Sequence, residues 1–468
     1  IDSNSSFDKA ILIVNRDEAF LKESSFSKTK STWKYSAKNV RDFAFASSRK
    51  FIWERQAVKV GENKVMAVSI YPKEGNPLWE DYSTKAVIQT LKTYSKFTFD
   101  YPYPKAVSVH AKRIGMEYPM ICFNFGRPEE DGSYSERTKF GMISVIIHEV
   151  GHNYFPMIVN SDERQWGWMD EGLDTFVQYL TEQDFGVSYP EYPSSRGAPN
   201  KIVPYMAGNQ DFISPIMSNP ENVYQLGPNA YAKPATALNI LRETIMGNEA
   251  FDHAFKTYSQ RWMFKHPTPE DFFRTMEDAS AIDLDWFWRG WFYSTDVVDI
   301  GVKNVKRYYF SDSPDQKAKT KLESYGYNLD NLPDMVFKID EDNESFDPKL
   351  IGKNPIENSQ KIKDFLLDEG IDVKTEIPKY FYQVEFEKPG GLVMPLIVEY
   401  NYSDGSTERI TYPVQLWRKN DSSVKKVIAS TKELVGVTVD PDLETADVNL
   451  DNNNWPKKEA PSDFEKFK

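Results

Sequence analysis

His148-Glu149-Val150-Gly151-His152 decides the reading of this chain. The pentapeptide lies in a segment whose apolar residues, Ile143, Ile146, Ile147 and Val150, recur at the period of an α-helix. Residues four apart on a helix share one face, so His148 and His152 project side by side. Two imidazoles so placed can reach one ion at about 2.0–2.1 Å, while the glutamate between them is turned enough to touch that ion's water instead. The competing reading is a helix whose histidines make ordinary hydrogen bonds. A third ligand separates the two, because a catalytic zinc site takes three ligands from the protein and leaves a fourth position open.

A glycine three residues after His152, with a histidine three further on, would complete a three-histidine site, but Phe155 and Ile158 stand there. Instead, Glu171 follows after 18 residues, in Trp168-Met169-Asp170-Glu171-Gly172-Leu173. It opens a second helical stripe, Leu173, Phe176, Val177 and Leu180, ended by Gly186. A carboxylate there can swing toward the first helix. His148, His152 and Glu171 are therefore the candidate metal ligands, and Glu149 is the candidate general base. His110, His253 and His266 have no partner at ligand spacing and read as core or surface histidines.

These residues carry a family resemblance. The His-Glu-x-x-His motif, the 18-residue gap and the Glu-Gly that opens the next helix resemble the aminopeptidase N family of gluzincins, which includes the leukotriene hydrolases. Ile114-Gly115-Met116-Glu117-Tyr118 is similar to that family's Gly-x-Met-Glu-Asn exopeptidase motif, and Tyr231-Ala232-Lys233-Pro234 to its Tyr-Glu-Lys-Gly segment. The likeness continues through Trp262-Met263-Phe264-Lys265-His266-Pro267 and Asp283-Leu284-Asp285-Trp286-Phe287-Trp288, so that it covers roughly residues 80 to 295. It implies a thermolysin-like catalytic domain with one zinc ion per chain and peptide substrates. Gly115, Met116 and Glu117 would form the substrate-binding segment, Glu117 holding the free α-amine, and Tyr231 would be the donor to the developing oxyanion. Tyr118 replaces the motif's Asn, Ile114 its first Gly, Ala232 the Glu and Pro234 the Gly. The changed Tyr118 keeps an endopeptidase of altered end-specificity open beside the aminopeptidase. A catalytically silent peptide-binding scaffold would instead show decay of the catalytic residues, and here they all stand.

The rest of the chain predicts an α+β multidomain protein. Strand-like runs Ala10–Val14 and Val65–Tyr71 read as the remnant of an N-terminal β domain over 1–70, followed by the catalytic domain over 71–300. Two more helices are expected there, one from near Tyr231 with Ala235, Leu238, Leu241 and Ile245 on one face, the other with Phe251, Phe255, Tyr258 and Trp262. Thr268-Pro269-Glu270-Asp271 starts a further helix with an N-cap threonine and a first-turn proline. Charged runs such as Ser311–Asp315 and Asp340–Glu344 suggest a polar linker or small subdomain over 301–375. Alternating runs from Tyr380 suggest a β-sandwich over 376–456, with a polar tail at 457–468.

Composition narrows the function from outside. At 468 residues, 40% hydrophobic and 27% charged, this is an ordinary globular composition, and no apolar run reaches the roughly 18 residues of a membrane span. A net charge of −13 argues against nucleic acid, whose phosphates need a basic surface. The single cysteine, Cys122, excludes an internal disulfide and a Cys-rich metal site, and it reads as a core residue. Ile1 in place of Met leads us to expect that the sequence starts inside a longer precursor. The resemblance in its bacterial form suits a secreted or periplasmic location.

Overall fold

The computed structural model describes residues 11–14, 35–189, 197–311, 316–326, 335–338, 360–368 and 380–457, together with 328, 370 and 378. They divide into two units, Ile1–Thr295 and Asp296–Lys468. In the first, β1 (Ile11–Val14) pairs antiparallel with β2 (Phe45–Ser48). A separate four-stranded sheet has the order β3-β4-β5-β6, from β3 (Phe51–Val60), β4 (Asn63–Pro72), β5 (Lys105–His110) and β6 (Ile121–Asn124).

β4 explains why that sheet forms where it does. Val65 to Tyr71 is nearly continuous in apolar residues and buried, the pattern of a strand covered on both faces. It pairs antiparallel with β3 but parallel with β5, which in turn pairs parallel with β6. A parallel pair needs a crossover, supplied by helix α1 (Leu78–Phe97), whose Leu78, Trp79, Ala86, Val87, Leu91 and Tyr94 are buried. The expected boundary at residue 70 is therefore corrected: β3 and β4 belong to the sheet that carries β5 and β6, not to a separate domain. Helices α2 (Glu136–Gly151) and α3 (Leu173–Ser188) follow, and helices Asn248–Arg261, Pro269–Ser280 and Asp285–Tyr293 build an aromatic core from Phe251, Phe255, Phe272, Trp288 and Phe292. At Thr268 the backbone N–H donates to Asp271 Oδ2 at 2.9 Å, closing the expected first turn.

The second unit holds two four-stranded antiparallel sheets. One has β7 (Gly301–Ser311), β8 (Met335–Lys338), β9 (Tyr380–Glu387) and β12 (Ser423–Ser430); the other has β10 (Leu396–Tyr402), β11 (Thr407–Tyr412), β13 (Leu434–Val439) and β14 (Asn454–Trp455). β7 corrects the expected linker at 301–375, because it lies between β8 and β9. A register shift between Val302 and Asn304 puts its buried valines, Val302 and Val305, three apart instead of two, which hides the strand from an alternation test. Positions 312–315, 339–359 and the tail 458–468 lie outside the described residues. Among the described residues no helix is long and apolar enough to cross a membrane.

Candidate active site

α2 starts at Ser135, whose hydroxyl accepts the Thr138 N–H at 3.1 Å. Burial of Met142, Ile143, Ile146, Ile147 and Val150 fixes the helix's rotation, and His152 forms its C-cap. The two partner segments are less regular. Trp168–Gly172, which carries Glu171, and Gly227–Ala232, which carries Tyr231, are both π-helical turns that run directly into α-helices. The wider turn re-aims side chains without unwinding the helix, and such turns concentrate at functional sites. Gly172 lets them meet: a Cβ there would stand 2.7 Å from Pro234 Cγ and 2.9 Å from the Ala230 carbonyl. Pro234 thus fills the space beside Gly172.

Three atoms converge. His152 Nε2 lies 3.0 Å from His148 Nε2, His148 Nε2 lies 3.1 Å from Glu171 Oε2, and His152 Nε2 lies 3.3 Å from the same oxygen. One face of a tetrahedron around an ion at about 2.0–2.1 Å has edges of about 3.3–3.4 Å, close to this triangle. The outer nitrogens are engaged elsewhere. His152 Nδ1 is 2.8 Å from the Phe155 carbonyl, which can only accept, so Nδ1 carries the proton and Nε2 presents a lone pair. His148 Nδ1 faces Gln178 Oε1 at 3.1 Å, and the Gln178 amide nitrogen donates to the Ser144 carbonyl at 3.0 Å, which fixes the amide the same way round.

Charge agrees with geometry. Glu117, Glu149, Asp170, Glu171 and Asp174 surround two imidazoles; the buried Glu149 Oε2 has no hydrogen-bond partner, and Asp170 Oδ1 and Asp174 Oδ2 press against His152 Nδ1 and His148 Nδ1 at 3.0 and 2.8 Å. Buried carboxylate oxygens in that state are costly unless a cation balances them. Burial alone would depress the His148 imidazole, but Asp174 and Glu171 lift it to about 10. The Glu171 carboxyl, against its burial, is drawn well below the usual range by the two imidazoles. Burial pushes Glu149 up to about 7 against their opposite pull, near the value suited to a group that takes and returns a proton. Converging nitrogen and oxygen lone pairs amid excess negative charge fit a divalent cation such as zinc.

The remaining expected residues are gathered here too. Tyr231 stacks on His148 with ring centroids 5.7 Å apart, and burial together with Glu171 holds its phenol well above the ordinary value, so it stays a donor. A Cβ on Gly115 would stand 2.2 Å from Glu149 Oε1. Met116 exchanges both backbone hydrogen bonds with Phe123, at 2.9 and 2.8 Å, holding the 115–117 segment beside β6. A carboxylate oxygen of Glu117 lies within 4.8 Å of ligand atoms of His152 and Asp170. Sequence reading missed Asp170, Asp174 and Gln178. The signal was present: Asp174 and Gln178 sit four apart on the face of α3 opposite its apolar stripe.

Residues 82–291 match the Peptidase family M1 domain. Over 276 residues it is 22% identical to aminopeptidase N of Lactococcus lactis subsp. lactis, the match covering 55% of this chain and 32% of the relative. It is 24% identical over 301 residues to human glutamyl aminopeptidase, covering 59% and 30% respectively. The chain thus spans about a third of the length of these curated relatives. The crystal structure of Legionella pneumophila aminopeptidase A in complex with aspartic acid superposes with a TM-score of 0.58 over 93% of this chain and 42% of that one, at 11% identity, a likeness of fold.

Proposed function

We propose that this chain is a zinc aminopeptidase that removes single residues from the free N-termini of peptides. The observation that carries the reading is the triangle of His148 Nε2, His152 Nε2 and Glu171 Oε2 at 3.0–3.3 Å, with the carboxyl of Glu149 beside it. These three residues would hold one zinc ion, which when bound polarises the scissile carbonyl and makes water acidic enough to attack near neutral pH.

The chain's own residues supply the rest. Glu149 takes the attacking water's proton, and a carboxyl whose burial places it at about 7 can then pass that proton to the leaving amine. Tyr231, kept protonated beside Glu171, donates to the oxygen that gains charge. Glu117 pairs with the substrate's α-ammonium and fixes its register, so that the first peptide bond meets Glu149. Tyr118, the changed position of that motif, packs edge-on to Phe123 at 6.1 Å within the sheet's apolar cluster. That placement supports an exopeptidase motif whose change is spent on packing.

The test is zinc analysis of the purified protein, paired with cleavage of a panel of free and N-blocked peptides. About one zinc per chain with release of N-terminal residues from free peptides is expected. Internal cleavage of blocked peptides at equal rates would replace this reading with an endopeptidase.

A further inference from the structure

Each candidate ligand histidine has two acceptors at its outer nitrogen, one neutral and one charged. For His148 Nδ1 they are Gln178 Oε1 at 3.1 Å and Asp174 Oδ2 at 2.8 Å; for His152 Nδ1 they are the Phe155 carbonyl at 2.8 Å and Asp170 Oδ1 at 3.0 Å. The neutral oxygens take the ring N–H in line, while Asp174 Oδ2 and Asp170 Oδ1 stand against the same nitrogens as ion-pair partners. An acceptor alone was already available to each imidazole. What the carboxylates add is charge, at the desolvation cost of keeping it inside the protein.

The surroundings are built to keep Asp174 there. It is fully buried, at 0% exposure, and its other oxygen accepts the Tyr94 hydroxyl at 2.9 Å, with Tyr94 equally buried. A Cβ on Gly151 would stand 2.2 Å from the Tyr94 hydroxyl and 2.3 Å from Asp174 Oδ1. The glycine of His148-Glu149-Val150-Gly151-His152 thus leaves the room that the Tyr94–Asp174 pair occupies. Asp170 and Asp174 stand one residue before and three residues after Glu171, so one chain segment brings three carboxylates to the two imidazoles.

We infer that Asp174 is a positioning residue for His148, and that its charge, with that of Asp170 on His152, sets how tightly the two imidazoles hold zinc. The inference rests on His148, His152 and Glu171 being the ligands. A carboxylate behind a ligating imidazole fixes its orientation and makes its other nitrogen a stronger base, and losing such a partner typically weakens metal binding about 10–100-fold.

The test uses the full chain as Asp174→Asn, Asp170→Asn and Tyr94→Phe proteins, with zinc affinity read by competition against a chromogenic chelator and melting of the zinc-free proteins read in parallel. Asp174→Asn should bind zinc about 10–100-fold more weakly, with its zinc-free form melting lower only through loss of the Asp174–His148 ion pair. A filler role would lower the melting and leave zinc affinity at its wild-type value. Tyr94→Phe, which keeps the carboxylate but frees it, should lose less than about tenfold. Wild-type zinc affinity in Asp174→Asn overturns the inference; should that protein fail to fold, wild-type affinity in Asp170→Asn does so. Full zinc retention by His148→Ala would instead sink the ligand assignment itself.

Discussion

Gly115 and Glu149 are in contact across the site: a Cβ built on Gly115 would lie 2.2 Å from Glu149 Oε1 and 2.9 Å from Val145 Cγ2. The nearer atom is the end of a side chain, so Gly115→Ala should fold and displace the carboxylate. Misplacing a reacting group by about an ångström costs on the order of a hundredfold. We expect kcat to fall about 10–100-fold with zinc content unchanged. Wild-type turnover would show that the Glu149 carboxylate need not stand where Gly115 allows it.

Glu149→Gln preserves shape and removes the proton acceptor. General bases contribute about 10²–10⁴-fold, so turnover should drop by at least about a hundredfold while the protein still carries about one zinc. Removing the metal with a chelator should abolish activity in wild type, and zinc should restore it. A Glu149→Gln protein that lost its zinc would mean that Glu149 acts as a ligand.

Tyr231→Phe should separate kcat from KM. In its proposed role the phenol would donate to a charge that exists only near the transition state, and loss of one such donor costs about 2.7–4 kcal/mol. A fall of about 10²–10³-fold in kcat with KM changed less than about threefold is expected, measured with a small fluorogenic peptide. A raised KM with intact kcat would make Tyr231 a binding residue.

His110 offers a pH test away from the metal. Its ring is buried against Trp79 at 5.2 Å, its Nε2 has no partner, and burial with nearby Arg127 lowers its pKa from 6.5 to about 4 although Glu74 opposes this. Between those values the unfolded chain binds more protons than the folded one, so stability rises with pH. The contribution is complete above pH 6.5, is lost as pH falls from 6.5 to about 4, and changes no further below that. Wild type should therefore lose about 2–3 kcal/mol more than His110→Gln between pH 7 and pH 4 in parallel denaturant titrations. Parallel pH profiles would show that His110 is charged in the fold.

Much of the site was legible because regular helices translate spacing into geometry. His148 and His152 are four apart on α2, and the apolar face of that helix decides where they point. Glu171 came from the search for a third ligand and Tyr231 from the family resemblance; each rides on a π-helical turn that no 3.6-residue period describes. Asp174 and Gln178 escaped because the stripe of Leu173, Phe176, Val177 and Leu180 draws attention to the opposite face of α3. β3 and β4 were assigned to a separate domain because pairing partners far along the chain, such as Met66 with Lys105, leave no mark on local pattern. β7 was hidden by its own register shift.

The last prediction concerns which end of a peptide the site reads, and it rests on Glu117. Its carboxylate is half-buried, on a segment held to Phe123 by two backbone hydrogen bonds, and it lies within 4.8 Å of ligand atoms of His152 and Asp170. A substrate ammonium placed there would meet the Glu117 carboxylate partly cut off from water, where a charge-assisted pair contributes about 1.5–3 kcal/mol. That is about 10–100-fold in kcat/KM. Acetylation removes the positive charge, so acetylated peptides should be cleaved at least about tenfold more slowly than free ones. Glu117→Ala should erase the difference by slowing the free peptides and leaving the acetylated ones unchanged, whereas a merely structural role would slow both alike. Equal rates on free and acetylated peptides in the wild-type chain would remove Glu117 from amine recognition and, with it, the aminopeptidase reading.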